Sequence, residues 1–131
     1  MRELATIDTA KECAANQVLY NLSRRGIEYD LMPFCRARDV AIMAYSPIEQ
    51  GRILTHPGLR EVARRHGASP AQVAIAWLLR QTDVVTIPKA TTLKHVDDNL
   101  AALDLALTAD DLATLDRHFP PPHEAEPLDM L

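Results

Sequence analysis

Hydrophobic residues fall along this chain in two patterns, short unbroken runs and stripes spaced three and four apart. The runs cover residues 40–45 and 84–87, and each is stopped by a proline close behind, Pro47 or Pro88. Apolar runs that short predict strands buried on both faces. A further strand is predicted over 15–20, carried by Val18 and Tyr20. The stripes predict helices. Leu4 and Ile7 allow one over 1–11, and Leu31, Phe34 and Cys35 mark one over 27–38. Pro57 opens a third, with Leu59, Val62, Ala63 and His66 on one face and Gly67 closing it. Ser69-Pro70-Ala71-Gln72 reads as a capping box with proline at the first helical position. The segment behind it, 73–79, is apolar all round and predicts a helix buried between other elements. Thr92 caps a helix whose Leu93, Val96, Leu100 and Leu103 form a stripe, and Thr108 caps a last one with Leu112, Leu115 and Phe119. Residues 48–55 read as a loop around Gly51, and Pro120 to Pro122 end regular structure. The expected organisation is one unit over 1–119 and a surface tail over 120–131.

Strands alternating with helices imply an α/β fold with parallel strands and right-handed crossovers. A doubly wound sheet and part of a (β/α) barrel both fit. The 131 residues suffice for one domain, whereas a full barrel takes roughly 250 residues and eight strands. Three parallel strands cannot close, so an open sheet with two bare edges and bare barrel-facing side chains is expected. The four glycines, at 26, 51, 58 and 67, allow neither G-x-G-x-x-G nor a phosphate loop ending in G-K-[ST].

Composition narrows the function classes. The longest apolar run is seven residues, too short to cross a bilayer. A net charge of −4 argues against a general nucleic-acid binder. Charges at Arg2, Glu3, Asp8, Lys11 and Glu12 do not read as a secretory signal. Cys13 and Cys35 fit a reduced, cytoplasmic chain, and their spacing resembles no metal-ligand set. The five histidines stand in no H-x-x-x-H relation, so no metal site is expected. The acidic pairs Asp97-Asp98 and Asp110-Asp111 read as solvated helix faces. Residues 69–80 look superficially like the first helix of a helix-turn-helix, but the strand-like 84–87 that follows cannot be a recognition helix.

Three short stretches can carry chemistry. Lys89, Ala90 and Thr91 lie between a strand end and a helix N-terminus, where unpaired N–H groups and a lysine suit a phosphate. An ordinary strand-to-helix loop with a threonine cap reads the same way. Tyr45-Ser46-Pro47 stands at another strand end, where the tyrosine either stacks on an aromatic ligand or closes the edge of the core. Asn16-Gln17 puts two amides in a strand, where burial demands a partner, backbone or ligand.

In order and spacing, five segments resemble the aldo-keto reductase family of NADPH-dependent (β/α)8-barrel oxidoreductases. They are Ala15-Asn16-Gln17-Val18, Ala44-Tyr45-Ser46-Pro47-Ile48, Ser69-Pro70-Ala71-Gln72-Val73-Ala74, Ile87-Pro88-Lys89-Ala90-Thr91 and Asp98-Asn99-Leu100, with Asp104 and Leu107-Thr108 to Leu115 behind them. The stretch Tyr20-Asn21-Leu22-Ser23-Arg24-Arg25-Gly26-Ile27-Glu28 resembles a bacterial branch. The resemblance implies a partial (β/α)8 TIM barrel, about the last three βα units plus a C-terminal helix. It implies a dinucleotide partner, NADP(H), with NAD(H) also open. Gln17 is implied to hold the nicotinamide carboxamide and Tyr45 to stack on its ring. Ser46, Pro47, Ile48 and Gln50 follow as pyrophosphate and ribose contacts, Lys89, Ala90 and Thr91 as 2′-phosphate contacts, and Asp98 and Asn99 as adenine contacts. His95 stands where many members carry an arginine at the 2′-phosphate, Asp98 replaces a common glutamate and Ala90 a common serine. An imidazole lacks arginine's bidentate fork, which bears on NADPH against NADH.

The family's catalytic tyrosine, aspartate, lysine and histidine belong to the half of the barrel this chain does not resemble. No catalytic residue is therefore assigned, and reduction of a small aldehyde or ketone is expected only with that other half. The alternative expectation is a non-catalytic assembly module that self-associates through the open barrel edge.

Overall fold

The computed structural model describes residues 13–130. Three strands, β1 (Ala15–Leu19), β2 (Ala41–Tyr45) and β3 (Val84–Thr86), form one parallel sheet in the order β1-β2-β3. Between and after them run α1 (Leu31–Arg36), α2 (Pro57–Arg65), α3 (Pro70–Leu79), α4 (Leu93–Leu100) and α5 (Ala109–His118). This is an α/β architecture consistent with a partial barrel. The helix predicted over 1–11 lies outside the described residues.

The segment expected as one helix over 27–38 is broken in two. A 3-10 turn, Gly26–Glu28, precedes α1, which has only six residues. Pro33 is tolerated in the first turn of α1, where its absent N–H has no intrahelical carbonyl to meet. Arg36 then closes α1 onto the turn before β3, its Nε 2.6 Å and Nη2 2.9 Å from the two Asp83 carboxylate oxygens.

Caps set the other helices. His56 Nδ1 accepts from Gly58 N at 3.2 Å, with Pro57 at the first position of α2. Ser69 and Gln72 make both halves of the capping box at α3, Ser69 N donating to Gln72 Oε1 (2.8 Å) and Gln72 N to Ser69 Oγ (3.2 Å). Residues Val73 to Leu78 of α3 are all buried, as the apolar sequence requires. At their centre Trp77 packs against Tyr20, ring centroids 5.4 Å apart. The Tyr20 hydroxyl donates to Glu28 (2.7 Å) and accepts from Gln81 Nε2 (2.6 Å).

The core lies on one face of the sheet only. Val18, Ile42, Ala44 and Val84 point into it with Leu59, Val62, Val73, Trp77, Leu78 and Leu115. Burial on both faces, expected from the apolar runs, does not hold: Val85 is 49% exposed and Ile87 43%. The helices cover one side, and three strands cannot curl round to cover the other. The stripe Leu93, Val96, Leu100 and Leu103 also faces outward, Leu93 at 84% exposure, because no described element lies against that side of α4.

Asp111 corrects a second expectation. It is buried, not solvated, because it is both the third residue of α5, closing a capping box with Thr108, and the partner of α2's C-terminal end. Its Oδ2 accepts from Thr108 Oγ1 (2.7 Å) and lies 2.6 Å from His66 Nε2, while Oδ1 accepts from Arg65 Nη1 at 3.2 Å. Burial opposes ionisation of this carboxyl, but the hydrogen bonds from His66, Thr108 and Arg65 outweigh it and hold Asp111 well below the usual carboxylate range. Asp97 and Asp110 are exposed and Asp98 is half-exposed, in line with solvated faces.

Candidate functional site

Parallel strands bring their following loops to one end of the sheet, the end at which parallel-barrel enzymes build their sites. Register decides what shares a face there. Gln17 pairs with Met43, Met43 with Val85, and Leu19 with Tyr45. Successive side chains alternate, so Gln17 and Tyr45 stand on the same side of the sheet, diagonal neighbours on adjacent strands. That side is the one the helices leave uncovered. Gln17 is exposed and Tyr45 half-buried, so the cost of burying a strand amide does not arise for Gln17. Asn16 turns toward α1, its Nδ2 4.0 Å from Cys35 Sγ.

The loop after β2 is not the plain loop expected over 48–55. It is a pair of 3-10 turns, Glu49–Thr55, kinked at Gln50 and Gly51. Ser46, Glu49 and Gln50 take positive φ values of 52°, 48° and 55°, beside Gly51 at 88°. A left-handed conformation costs an ordinary residue about 1 kcal/mol, so three non-glycine examples need support from their surroundings. The support comes from the loop after β1. Asn21, fully buried, donates through Nδ2 to Ser46 O (2.9 Å) and to Glu49 Oε2 (2.8 Å). Arg24 Nε donates to Glu49 Oε1 at 3.1 Å, and the Glu49 carboxylate pushes the Arg24 guanidinium pKa up. Asn21 Oδ1 is itself held by Ser23 N (3.0 Å) and Ser23 Oγ (2.9 Å). Sequence reasoning passed over Asn21, Arg24 and Glu49. A glutamate in a polar loop carries no sign that it will be buried, and the positive φ values fall on residues that do not advertise them.

Within this loop Ser46 and Ile48 are half-buried, Ile48 against the core, and Pro47 is buried. Gln50 is exposed, its Oε1 accepting from Arg52 Nη2 at 3.1 Å. At the end of β3, Lys89, Ala90 and Thr91 are exposed, and Lys89 has no hydrogen-bond partner among the described residues. Thr92 Oγ1 caps α4 by accepting from His95 N (3.2 Å), and Thr91 Oγ1 lies 3.4 Å from His95 Nδ1. The first amides of α4 have no intrahelical acceptors, as at any helix N-terminus. One to two turns along α4 follow Asp98, engaged by Lys94 Nζ at 2.6 Å, and Asn99.

The structure thus brings Gln17, Tyr45, the Ser46–Gln50 loop and Lys89–Thr91 to a single rim, with His95, Asp98 and Asn99 leading away on α4. The rim is open. Cavities of about 610 and 640 Å³ lie elsewhere, the first lined by Arg65, His66, Thr108 and Arg117, the second by Arg60, Arg64 and Pro70. The C-terminal tail returns to the rim: Asp129 meets Arg24 at 3.3 Å, and Pro127 and Leu128 border a cleft with Leu19. Among the described residues no group of three or more His, Cys, Asp and Glu is placed to hold a metal, and no helix is long and apolar enough to cross a membrane.

Known proteins match this geometry. A methylglyoxal reductase of Escherichia coli, YeaE, is 43% identical over 136 residues, covering all of this chain and 48% of that protein. A second, the Yersinia pestis methylglyoxal reductase DkgB, is 32% identical over 90% of this chain and 44% of its own length. A crystal structure of an aldo-keto reductase from Klebsiella pneumoniae in complex with NADPH superposes with a TM-score of 0.94 at 42% identity, over 99% of this chain and 48% of that one. The chain therefore spans about half the length of the relatives it matches. The model of the aldo/keto reductase family covers residues 2–119, which include all three strands and the whole rim. With sequence, register and rim in agreement, the chain belongs to the aldo/keto reductase family.

Proposed function

We propose that this chain is the NADP(H)-binding portion of an aldo-keto reductase-type oxidoreductase, with the dinucleotide lying along the rim at the C-terminal ends of β1, β2 and β3. The observation that carries this reading is the register that sets Gln17 and Tyr45 on one uncovered face, with Lys89, unpartnered among the described residues, at the end of β3. The Klebsiella structures, one with NADPH and one with NADP and acetate, support it. Gln17 carries both a donor and an acceptor, the complement of a carboxamide. Tyr45 offers a ring face for stacking. Ser46, Pro47, Ile48 and Gln50 serve the pyrophosphate and ribose, with Pro47 acting through its main chain because its ring is buried. Lys89, Ala90, Thr91 and His95 face the 2′-phosphate, and Asp98 and Asn99 the adenine. NADH is the weaker alternative. The unit over 1–119 holds the site, and 120–131 forms a tail.

The nicotinamide, when bound, supplies or accepts hydride. None of the chain's three tyrosines, Tyr20, Tyr29 and Tyr45, stands in the motif of the family's proton-donating tyrosine. Tyr20's hydroxyl is buried and already engaged by Glu28 and Gln81, and Tyr45 is committed to stacking. Carbonyl reduction accordingly requires the rest of the barrel.

Titration of the purified chain with NADPH, followed by cofactor fluorescence, tests the binding. Saturable binding is expected, weakened about tenfold in Tyr45→Ala, a loss of ~1.4 kcal/mol. No binding at millimolar NADPH by a chain with a folded circular dichroism spectrum refutes it. NADPH oxidation by the isolated chain with a simple aldehyde refutes the second half of the reading.

A second reading, a non-catalytic module that self-associates, is favoured by the outward stripe of Leu93, Val96, Leu100 and Leu103 and by the position of β3 at an edge of the described sheet. Light scattering separates the two: a monomer at high concentration eliminates it.

A further inference from the structure

We propose that Asn21 and Glu49, with Arg24, are positioning residues that set the conformation of the Ser46–Gln50 loop for phosphate binding without touching the dinucleotide themselves. The proposal rests on the reading of the rim as the NADP(H) site. The loop carries three non-glycine residues at positive φ, which its own chain does not favour. Its internal bonds are two short turns, Glu49 N to Ser46 O (2.9 Å) and Gly51 N to Ile48 O (2.8 Å). What holds those turns in place comes from 25 to 28 residues earlier. One amide group, Asn21 Nδ2, bonds both the first residue of the loop through Ser46 O and its buried carboxylate through Glu49 Oε2. The carboxylate takes its second bond from Arg24 Nε.

A carboxylate 3% exposed would be costly without these donors. The negative charge is thereby turned inward, away from the side on which a pyrophosphate would lie. Ser46 is held through its carbonyl, and Gln50 is left exposed. The same Arg24 reaches the tail through Asp129 (3.3 Å), so the loop after β1, the loop after β2 and the C-terminal tail form one linked assembly.

The test measures hydrogen exchange at the Glu49 and Gly51 amides and NADPH affinity in the full chain, for wild type, Asn21→Ala, Glu49→Ala and Glu49→Gln. Asn21→Ala and Glu49→Ala should raise exchange at both amides at least tenfold, leave the amides of α3 unchanged, and weaken NADPH at least tenfold. Glu49→Gln keeps an acceptor for Asn21 and should restore affinity to within about threefold of wild type. Variants that bind NADPH like wild type overturn the proposal, whether or not exchange rises. A wild-type chain that binds no NADPH overturns the functional reading and this inference with it. The exchange data then still report whether the contact holds the loop.

Discussion

Removing the Asp111 carboxylate should be among the most damaging single changes away from the hydrophobic core. Asp111 closes the capping box of α5, a device worth about 1 kcal/mol. It also makes a partly buried, charge-assisted contact with His66 at 2.6 Å, worth about 2 kcal/mol. Arg65 adds little, because its side chain is 40% exposed and shared with Glu61. Asp111→Ala should therefore lower the unfolding free energy by about 3 kcal/mol and the melting temperature by about 10 °C. Asp111→Asn keeps an acceptor for Thr108 and should lose about half as much.

The pH dependence supplies a second measurement of the same contact. The folded carboxyl titrates below its unfolded value of about 3.9. Its stabilisation is thus fully present above the unfolded value and is lost as the pH falls through the folded one. Denaturant unfolding, followed by the fluorescence of buried Trp77, the sole tryptophan, reads both effects. Wild-type stability should decline below about pH 4, and the decline should be shallower in Asp111→Asn. A cost below about 0.5 kcal/mol for Asp111→Ala at neutral pH, or parallel acid limbs, would refute the reasoning.

Three further outcomes are expected. Gly58→Ala should destabilise the fold by about 1–3 kcal/mol despite the helix preference of alanine, because a Cβ there would stand 2.9 Å from His118 Cβ and collide with its ring; a raised melting temperature would show that α2 and α5 do not meet so closely. His95→Arg should tighten NADPH relative to NADH by about tenfold, or ~1.4 kcal/mol, in paired titrations, and an unchanged ratio would place the 2′-phosphate elsewhere. Replacing exposed Leu100 and Leu103 together by Asp should change unfolding free energy by less than about 0.5 kcal/mol while abolishing any self-association seen by light scattering. A larger loss of stability would mean that the stripe is covered within the chain.

Much of the candidate site was visible as motifs, and little of its support was. Gln17, Tyr45 and Lys89 stand at or near strand ends marked by short apolar runs, so their common rim follows once the strands are parallel. Glu49 and Asp111 show the opposite. Asp111 reads in sequence as a solvated acid and Glu49 as one residue of a polar loop, and each is buried because donors arrive from a distant segment: Asn21 and Arg24 for one, His66 and Arg65 for the other. Hydrophobic patterning ranks faces by polarity. It does not identify the charge that will meet a given carboxylate across the fold.

Local chemistry in the sequence was sufficient for the alternation of strands and helices, the caps at Ser69 and Thr108, the buried character of α3 and the family likeness, because each depends on residues within a few positions of one another. The tertiary structure alone decided that the α4 stripe looks outward, and that α1 is short and preceded by a 3-10 turn. It also decided that the Ser46–Gln50 loop is held left-handed from across the rim. Those features depend on which surfaces meet. A stripe of leucines has the same spacing whether another element lies against it or not.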